Sequence, residues 1–450
     1  MDWISILRGI LGIVLIVGIA YLFSNNKKKI NWRLVVSGLG LQFILAILII
    51  KGDALGQFFF PLRWPKDFFQ WISSFFIIIM DFSTEGAKFV FGALAISPGN
   101  PESLGSFFAF QVLPSIIFFA SLMSVLYYLG IMQKVVQGMA WIMAKVMGTS
   151  GAESLSCSAE VFVGQTEAPL MIKPFLKGMT QSELLTIMIG GMATIAGGVM
   201  IAYIQILSNS FAKTMNIPMH EAQLLFATHL LCASVMAAPA ALVMGKILIP
   251  ETGDPETKGT VKIKVEKNAS GVIEAAAVGA GDGLSLALNV AAMLIAFIAL
   301  VALVNYLLQF LGGITGLNGY LIQNFGQPLN FQLILGLILQ FIAYGIGVPW
   351  ENSIQFGSLL GTKVVLNEFV AYLDLGKMVE LKTIVNPKTI MMATYALCGF
   401  ANFSSIAIQI GGTGSLVPER KSEIAKLGLK AVLGGSLATL LIATLGGILF

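Results

Sequence analysis

The sequence predicts an all-α integral membrane protein: about eight transmembrane helices, interfacial helices and two re-entrant helical hairpins, arranged as an inverted repeat. Three observations carry this. Of 450 residues, 56% are hydrophobic and 11% charged, against roughly 25% charged in an ordinary soluble domain. Cutting the apolar runs at about twenty residues per span gives roughly eight full spans plus shorter apolar pieces. Two of those pieces, carrying GQTE (164–167) and NEF (367–369), are split by polar residues that no lipid-facing helix would tolerate.

The first span is predicted over about 3–24. It runs too long for a signal h-region and shows no small-residue cleavage pattern, so it reads as retained. Lys27, Lys28, Lys29 and Arg33 fill the next loop, which the positive-inside tendency places in the cytoplasm, with the N-terminus outside. A second span (33–50) is followed by a run mixing aromatics with Lys51, Arg63, Lys66 and Asp67, the pattern of an interfacial segment. A span kinked at Pro114 comes next, then an interfacial stretch interrupted by Lys134 and Lys145. Residues 1–147 thus read as scaffold-type helices with the first interfacial helices. Residues 148–250 read as a first transport repeat of hairpin, broken helix and closing span. A hydrophilic connection is expected over 251–283, a scaffold span and interfacial helix over 284–346, and a second transport repeat over 347–450. The halves echo each other in order of elements more than in letters, and paired interrupted segments in corresponding halves are a transporter's signature of its binding site.

An apolar stretch broken by GQTE can enter the membrane, turn and leave, provided its tip is buried in protein or faces a water-filled cavity. Pro169 suits the start of the returning limb, where no amide donor is needed. Glu167 and Glu368 fall at the two expected tips. A carboxylate at bilayer depth costs a few kcal/mol, so it faces a cavity, a ligand or a partner, the candidate partners being Lys173 and Lys363. TIAGG (194–198) and FANFSS (400–405) can unwind and free backbone carbonyls beside a ligand. Gln165, Thr166, Glu167, Glu368, Asn402 and Ser405 then supply donors and acceptors, with Val199 and Phe400 as apolar walls. That set suits a flat heteroaromatic ligand bearing a vicinal diol. It contains no arginine for a phosphate.

GQTEAPLMIKPF, NEFVAY preceded by GTKVVL, and CGFANFSSIA resemble the signatures of the concentrative nucleoside transporters, in the manner of a bacterial member, over nearly the whole chain. The resemblance implies a cation-coupled symporter that imports nucleosides such as uridine. It also implies a homotrimer in the cytoplasmic (inner) membrane, surrounded by lipid, that works by an elevator-type movement and needs no cofactor beyond the coupling ion. On matching positions Gln165, Thr166 and Glu167 would recognise the base. Glu368, Asn402 and Ser405 would hold the ribose, with Val199 and Phe400 packing on the ligand. The family's sodium site would fall on position 160, the Val163 carbonyl, Thr194 and Ile195. Where sodium-coupled members typically carry asparagine, this chain carries Glu160. A carboxylate there either binds sodium with added charge or exchanges a proton, and both coupling ions, Na+ and H+, stay open.

Other classes fare less well. An intramembrane enzyme acting on a lipid or isoprenoid needs a nucleophile, metal cluster or acid pair near the interface. His220 and His229 stand nine apart, outside any HExxH-like motif. Cys157, Cys232 and Cys398 show no redox or metal spacing. A net charge of +4 without a large basic block gives nucleic acid no footprint. A passive channel would line a continuous pore with rings of like residues, whereas these polar groups converge on two tips and two breaks.

Overall fold

A computed structural model describes residues 3–96, 102–105, 107–259 and 269–450. Apart from an isolated bridge between Ser150 and Lys258, the described residues form helices and their connections. Two spans, α1 (Trp3–Leu22) and α2 (Trp32–Ile50), are apolar except for Arg8 and Arg33 near their starts and a few neutral polar residues. The short α3 (Gly52–Phe58) leads to α4 (Trp64–Phe91), whose two faces differ. Ser73, Phe76, Met80, Ser83 and Ala87 are buried, while Phe68, Trp71, Phe75, Ile78 and Phe82 are exposed at three- and four-residue spacing. This is the amphipathic interfacial element expected after the second span. Next come α5 (Phe108–Gln111) and α6 (Leu113–Tyr128), with Pro114 in the first turn of α6, where its missing amide leaves no carbonyl unpaired. α7 (Ile131–Met147) then leads into the first half of the repeat.

Hairpin 1 descends as α8 (Gly151–Ala159), turns through 160–167 and returns as a 3-10 segment, Ala168–Phe175, with Pro169 in its first turn. The broken helix follows: α9 (Gln181–Ala193), an extended break at 194–196, and α10 (Gly197–Met215). α11 (Met219–Leu248) closes the half. Beyond the connection run α12 (Val272–Ile314), α13 (Leu317–Phe325) and α14 (Phe331–Gly345). Hairpin 2 is α15 (Ser353–Val365) and α16 (Glu368–Glu380). The second broken helix is α17 (Pro387–Leu397) and α18 (Phe403–Gly411) around a break at 398–402. The short α19 (Thr413–Leu416) leads to the closing α20 (Lys421–Leu449). Among the described residues seven helical stretches are long and apolar enough to cross a membrane, one of them counted across the first break as Gln181–Met215. The second broken helix, divided into limbs of 11 and 9 residues, supplies the further crossing.

Contacts between the ends establish the inversion. The Asn25 amide, in the loop after α1, donates to the Leu248 carbonyl at the end of α11 (3.0 Å), so α11 ends on the face that carries Lys27–Lys29. Hairpin 1 is rooted on that same face, since the amides of Gly151 and Ala152 donate to Thr257 in the following connection. Near the other end of α1, Arg8 donates to the carbonyl of Val348 at 2.8 Å, just before hairpin 2, which therefore enters from the opposite face. At 1.5 Å per residue, α8 reaches about 14 Å inward and α15 about 20 Å. Against a hydrocarbon core of about 30 Å, the two tips meet near its middle. Their breaks cross there: a Cβ at Gly399 would lie 2.8 Å from the carbonyl oxygens of both Met192 and Ala193, so only glycine admits the approach.

One boundary is corrected. The hydrophilic connection expected over 251–283 ends earlier, because α12 begins at Val272; residues 260–268 of that stretch lie outside the described residues. The run GAGDG reads as a loop by composition, yet Gly279 and Gly283 sit one turn apart on the face of α12 that meets α6. A Cβ at Gly279 would stand 2.6 Å from the Ala120 carbonyl oxygen, and one at Gly283 2.7 Å from the Ile117 Cα. Small residues four apart let two membrane helices close on each other, and here packing outweighs glycine's poor helix propensity. α1 and α2 pack against α20 and α11, whereas α6 packs chiefly against α12 and also meets α10 and α4.

Candidate substrate and cation site

The tips and breaks are held by caps chosen from the sequence's few polar residues. The Asn367 side chain accepts from the Val370 amide (2.9 Å) and starts α16; the Asn402 side chain accepts from the Ser405 amide (2.9 Å) and starts α18. Each cap aims a helix N-terminus inward, and each is followed closely by a residue facing the ligand space: Glu368 after the first, Ser405 after the second.

All eight residues proposed to meet substrate line a single cavity of about 960 Å³: Gln165, Thr166, Glu167, Val199, Glu368, Phe400, Asn402 and Ser405. Its other wall comes from α6 and α12, through Phe119, Tyr127, Gly279 and Asp282. From the tips the cavity continues past Lys177, Ala269 and Glu419 toward the face that carries Lys27–Lys29. Glu368 is 4% exposed, and both its oxygens are occupied: Oε1 accepts from the Tyr203 hydroxyl at 2.9 Å, Oε2 from Asn402 Nδ2 at 3.1 Å. Glu167 is open to the cavity, and its Oε2 accepts from the Gly164 amide at 3.4 Å, closing the tip turn. The Thr166 methyl packs where a side chain at Gly412 would stand.

Neither lysine considered as a structural partner makes an ion pair with these acids among the described residues. Lys173 lines the cavity. Lys363, 1% exposed, donates to the Ala396 carbonyl at 2.8 Å and the Thr439 hydroxyl at 3.0 Å, placing its charge on the last turn of α17. A cation is stabilised there by the helix dipole.

The four residues proposed for the cation gather around the first break less tightly. Thr194 and Ile195 are buried in the break itself, and Val163 lines the cavity at the hairpin tip. The Thr194 hydroxyl donates to the Gly190 carbonyl at 2.9 Å. Glu160, 1% exposed, lays its carboxylate against Gly190, where only a glycine leaves space, and accepts from the Ser156 hydroxyl at 3.3 Å. Its Oε2 has no hydrogen-bond partner among the described residues. Of the histidines, His229 is buried with Nδ1 2.6 Å from the Tyr395 hydroxyl, away from the cavity lining. No group of three or more His, Cys, Asp or Glu that would hold a metal ion occurs among the described residues.

Sequence reasoning missed Tyr203 and Gln409. Tyr203 sits six residues into α10 and grips Glu368 from 165 positions away. Gln409 lies in α18 and holds Gln165 from 244 positions away. The one local signal was a lone polar residue in an apolar helix.

Two half-crossing hairpins, two crossed broken helices and a polar cavity at their junction are the architecture of a membrane transporter. Comparison with known proteins narrows the class. Residues 11–94 match the family model of the Na+ dependent nucleoside transporter N-terminus, 229–447 that of the C-terminus, and 109–210 a nucleoside recognition gate. The transporter YutK of Bacillus subtilis is 43% identical over 444 residues, covering 98% of this chain and 99% of that one. Rat sodium/nucleoside cotransporter 1 is 38% identical over 98% of this chain, which spans 63% of the rat protein's length. CNTnw in an inward-facing, substrate-bound state superposes with a TM-score of 0.83 at 36% identity, covering 98% of both chains. A doubly substituted CNTnw in an outward-facing state gives 0.85 at 36% identity, covering 100% of this chain and 98% of that one. The chain belongs to the Na+ dependent nucleoside transporter family. It is a multi-pass membrane transporter, not an enzyme.

Proposed function

We propose that the protein imports nucleosides such as uridine across the cytoplasmic membrane, coupled to the downhill entry of one cation per substrate, by moving its two transport repeats past a scaffold built on α6 and α12. The observation that carries this reading is the convergence of Gln165, Thr166, Glu167, Glu368, Asn402 and Ser405, from the two hairpins and the second broken helix, on one cavity open to the Lys27–Lys29 face. In this reading Gln165, Thr166 and Glu167 meet the base; Glu368, Asn402 and Ser405 take the ribose hydroxyls; Val199 and Phe400 pack on the rings. In this reading 148–250 and 347–450 are the transport repeats, and 1–147 supplies scaffold-type helices and the first interfacial helices. The long apolar exposed face of α12 suits lipid and the contact surface of a homotrimer.

Glu160 is assigned as the coupling residue. An isolated buried carboxylate is too costly to persist uncompensated, so it takes up either a proton or a metal cation. The surroundings favour the proton: Ser156 is its one hydrogen-bonding neighbour, and the Gly190 carbonyl beside it already accepts from both the amide and the hydroxyl of Thr194. A single cation entering down about 100 mV releases about 2.3 kcal/mol, and a tenfold concentration gradient adds about 1.4 kcal/mol. Together they support accumulation of roughly a few hundredfold.

Counterflow and net uptake of labelled uridine in proteoliposomes, under separately imposed sodium and proton gradients, test substrate and driving force together. An acid-outside gradient without sodium should drive accumulation. Glu160→Gln should abolish that drive while leaving uridine exchange at zero gradient within about threefold, since a neutral amide mimics the protonated acid. Uptake that ignores the proton gradient and follows sodium would assign Glu160 as a sodium ligand instead.

A further inference from the structure

Gln409 lies behind the cavity lining and is not part of it, yet it decides what Gln165 can offer a ligand. Its Nε2 donates both to the Met188 carbonyl (2.9 Å) and to Gln165 Oε1 (3.1 Å), and it is 2% exposed. A backbone carbonyl only accepts, so the nitrogen of Gln409 must face Met188; turning the amide over would set oxygen against oxygen. The same nitrogen then faces Gln165, which must present its oxygen in return. Gln165 Nε2 is thereby aimed at the site, where it donates to Ser405 Oγ at 3.2 Å. With its lone pair engaged, the Ser405 hydroxyl keeps its proton for a ligand.

We propose that Gln409 is a positioning residue that fixes the polarity of the substrate site, so that Gln165 shows a ligand N–H and never C=O, and that the substrates selected are those whose base carries a carbonyl oxygen at that point. Two further features support it. The Gln409 Oε1 is buried without a partner, so the fold accepts an unsatisfied oxygen in order to keep both donors in place. Gly191 opens the gap in which the two amides meet: a Cβ there would stand 2.7 Å from the Gln165 Cβ and 3.1 Å from Gln409 Nε2. The chain of bonds runs from the carbonyl on α9 through α18 to the hairpin 1 tip and back to Ser405, which also joins the base-reading and sugar-holding groups into one unit.

The proposal rests on the nucleoside reading above, and its test separates the two. Uptake of labelled uridine by the full-length carrier in proteoliposomes is competed with 2-thiouridine and 4-thiouridine, whose sulfur is a weaker acceptor than the oxygen it replaces. In the wild type, sulfur at the position facing Gln165 should weaken competition about tenfold. In Gln409→Glu the new side chain, which even when protonated has one proton for two acceptors, releases Gln165 to turn over. The KM for uridine should rise about tenfold with Vmax within twofold, and the sulfur penalty should fall below twofold. A purely structural role for Gln409 would lower Vmax and leave the ratio between uridine and its thio analogues untouched, which overturns the proposal; so would a wild type indifferent to both analogues. If Gln409→Glu does not fold, Gln409→Met, similar in volume and without a donor, is read by the same ratio. A wild type that takes up no uridine removes the nucleoside reading itself, and this inference with it.

Discussion

Glu368→Gln is expected to lower uridine uptake about 100-fold or more, chiefly through KM. Both oxygens of Glu368 already accept a hydrogen bond, from the Tyr203 hydroxyl and from Asn402 Nδ2, and their remaining lone pairs face the cavity. A vicinal diol brings two donors, which is the complement a carboxylate supplies and an amide does not. Glutamine replaces one oxygen with a donor, and whichever way it turns, that donor meets either the Tyr203 hydroxyl or the Asn402 amide nitrogen. The site then loses one ligand bond, and its own network either reverses, with the Tyr203 hydroxyl now accepting, or sets nitrogen against nitrogen at Asn402. Hydrogen bonds to a charged group are worth about 1.5–3 kcal/mol each, so a combined loss of about 3 kcal/mol corresponds to a factor of over 100. Uptake in proteoliposomes checks the total, and a comparison of uridine with 2′-deoxyuridine checks the assignment. In the wild type the missing hydroxyl should cost affinity, and in the variant the two nucleosides should converge. Near-normal uridine uptake by a well-folded variant would remove Glu368 from the sugar subsite.

The same residue shows why part of the site was legible from the sequence alone. A carboxylate in an apolar run is expensive enough that its position announces a cavity, and Glu167 and Glu368 were found on that ground, whereas Glu160 stood out through the family resemblance. Asn402 was legible because it stands in a break with two serines. Gln409 and Tyr203 carry no such price when read locally, since an amide or phenol in a helix is satisfied by any neighbour. Their roles depend on partners brought together across the repeat. The limits of α12 were hidden for a related reason: three glycines and an aspartate in five residues resemble a turn until a second helix is laid against them. Local chemistry therefore revealed the groups that cost most to bury, while shared hydrogen bonds and close helix contacts emerged only from the fold.

The second large effect is expected at the root of hairpin 1. Lys246→Met should lower the thermal midpoint of the solubilised carrier by about 4 °C. The Lys246 ammonium lies 2.8 Å from Glu153 and 3.1 Å from Glu251, and it donates to the Ser182 hydroxyl at 3.1 Å. Around it two capping boxes meet. Ser150 and Glu153 start α8, Thr180 and Glu183 start α9, and the Ser150 hydroxyl bridges to Glu183 at 2.5 Å. Hairpin, broken helix, α11 and the loop that follows are joined through this one cation. Removing it leaves Glu153, 1% exposed, without a counter-charge. Breaking a buried pair from one side costs about 3–5 kcal/mol, and each kcal/mol shifts the midpoint about 1 °C in a chain of this size. Pairing Lys246→Met with Glu153→Gln should restore most of the loss, because the stranded charge disappears with it.

A pH dependence accompanies the same cluster. Burial alone would raise Glu251, but the Lys246 ammonium, the Thr180 hydroxyl and the Gly253 amide outweigh it and hold its carboxyl below the ordinary value. A depressed carboxylate contributes stability that is complete above the ordinary carboxylate range, about pH 4.3, and is lost as pH falls through the lower folded value. Thermal midpoints of the wild type should therefore decline on acidification below that range. Glu251→Gln should start lower at neutral pH and decline less steeply; identical slopes in the two proteins would show that the loop is not anchored through Glu251.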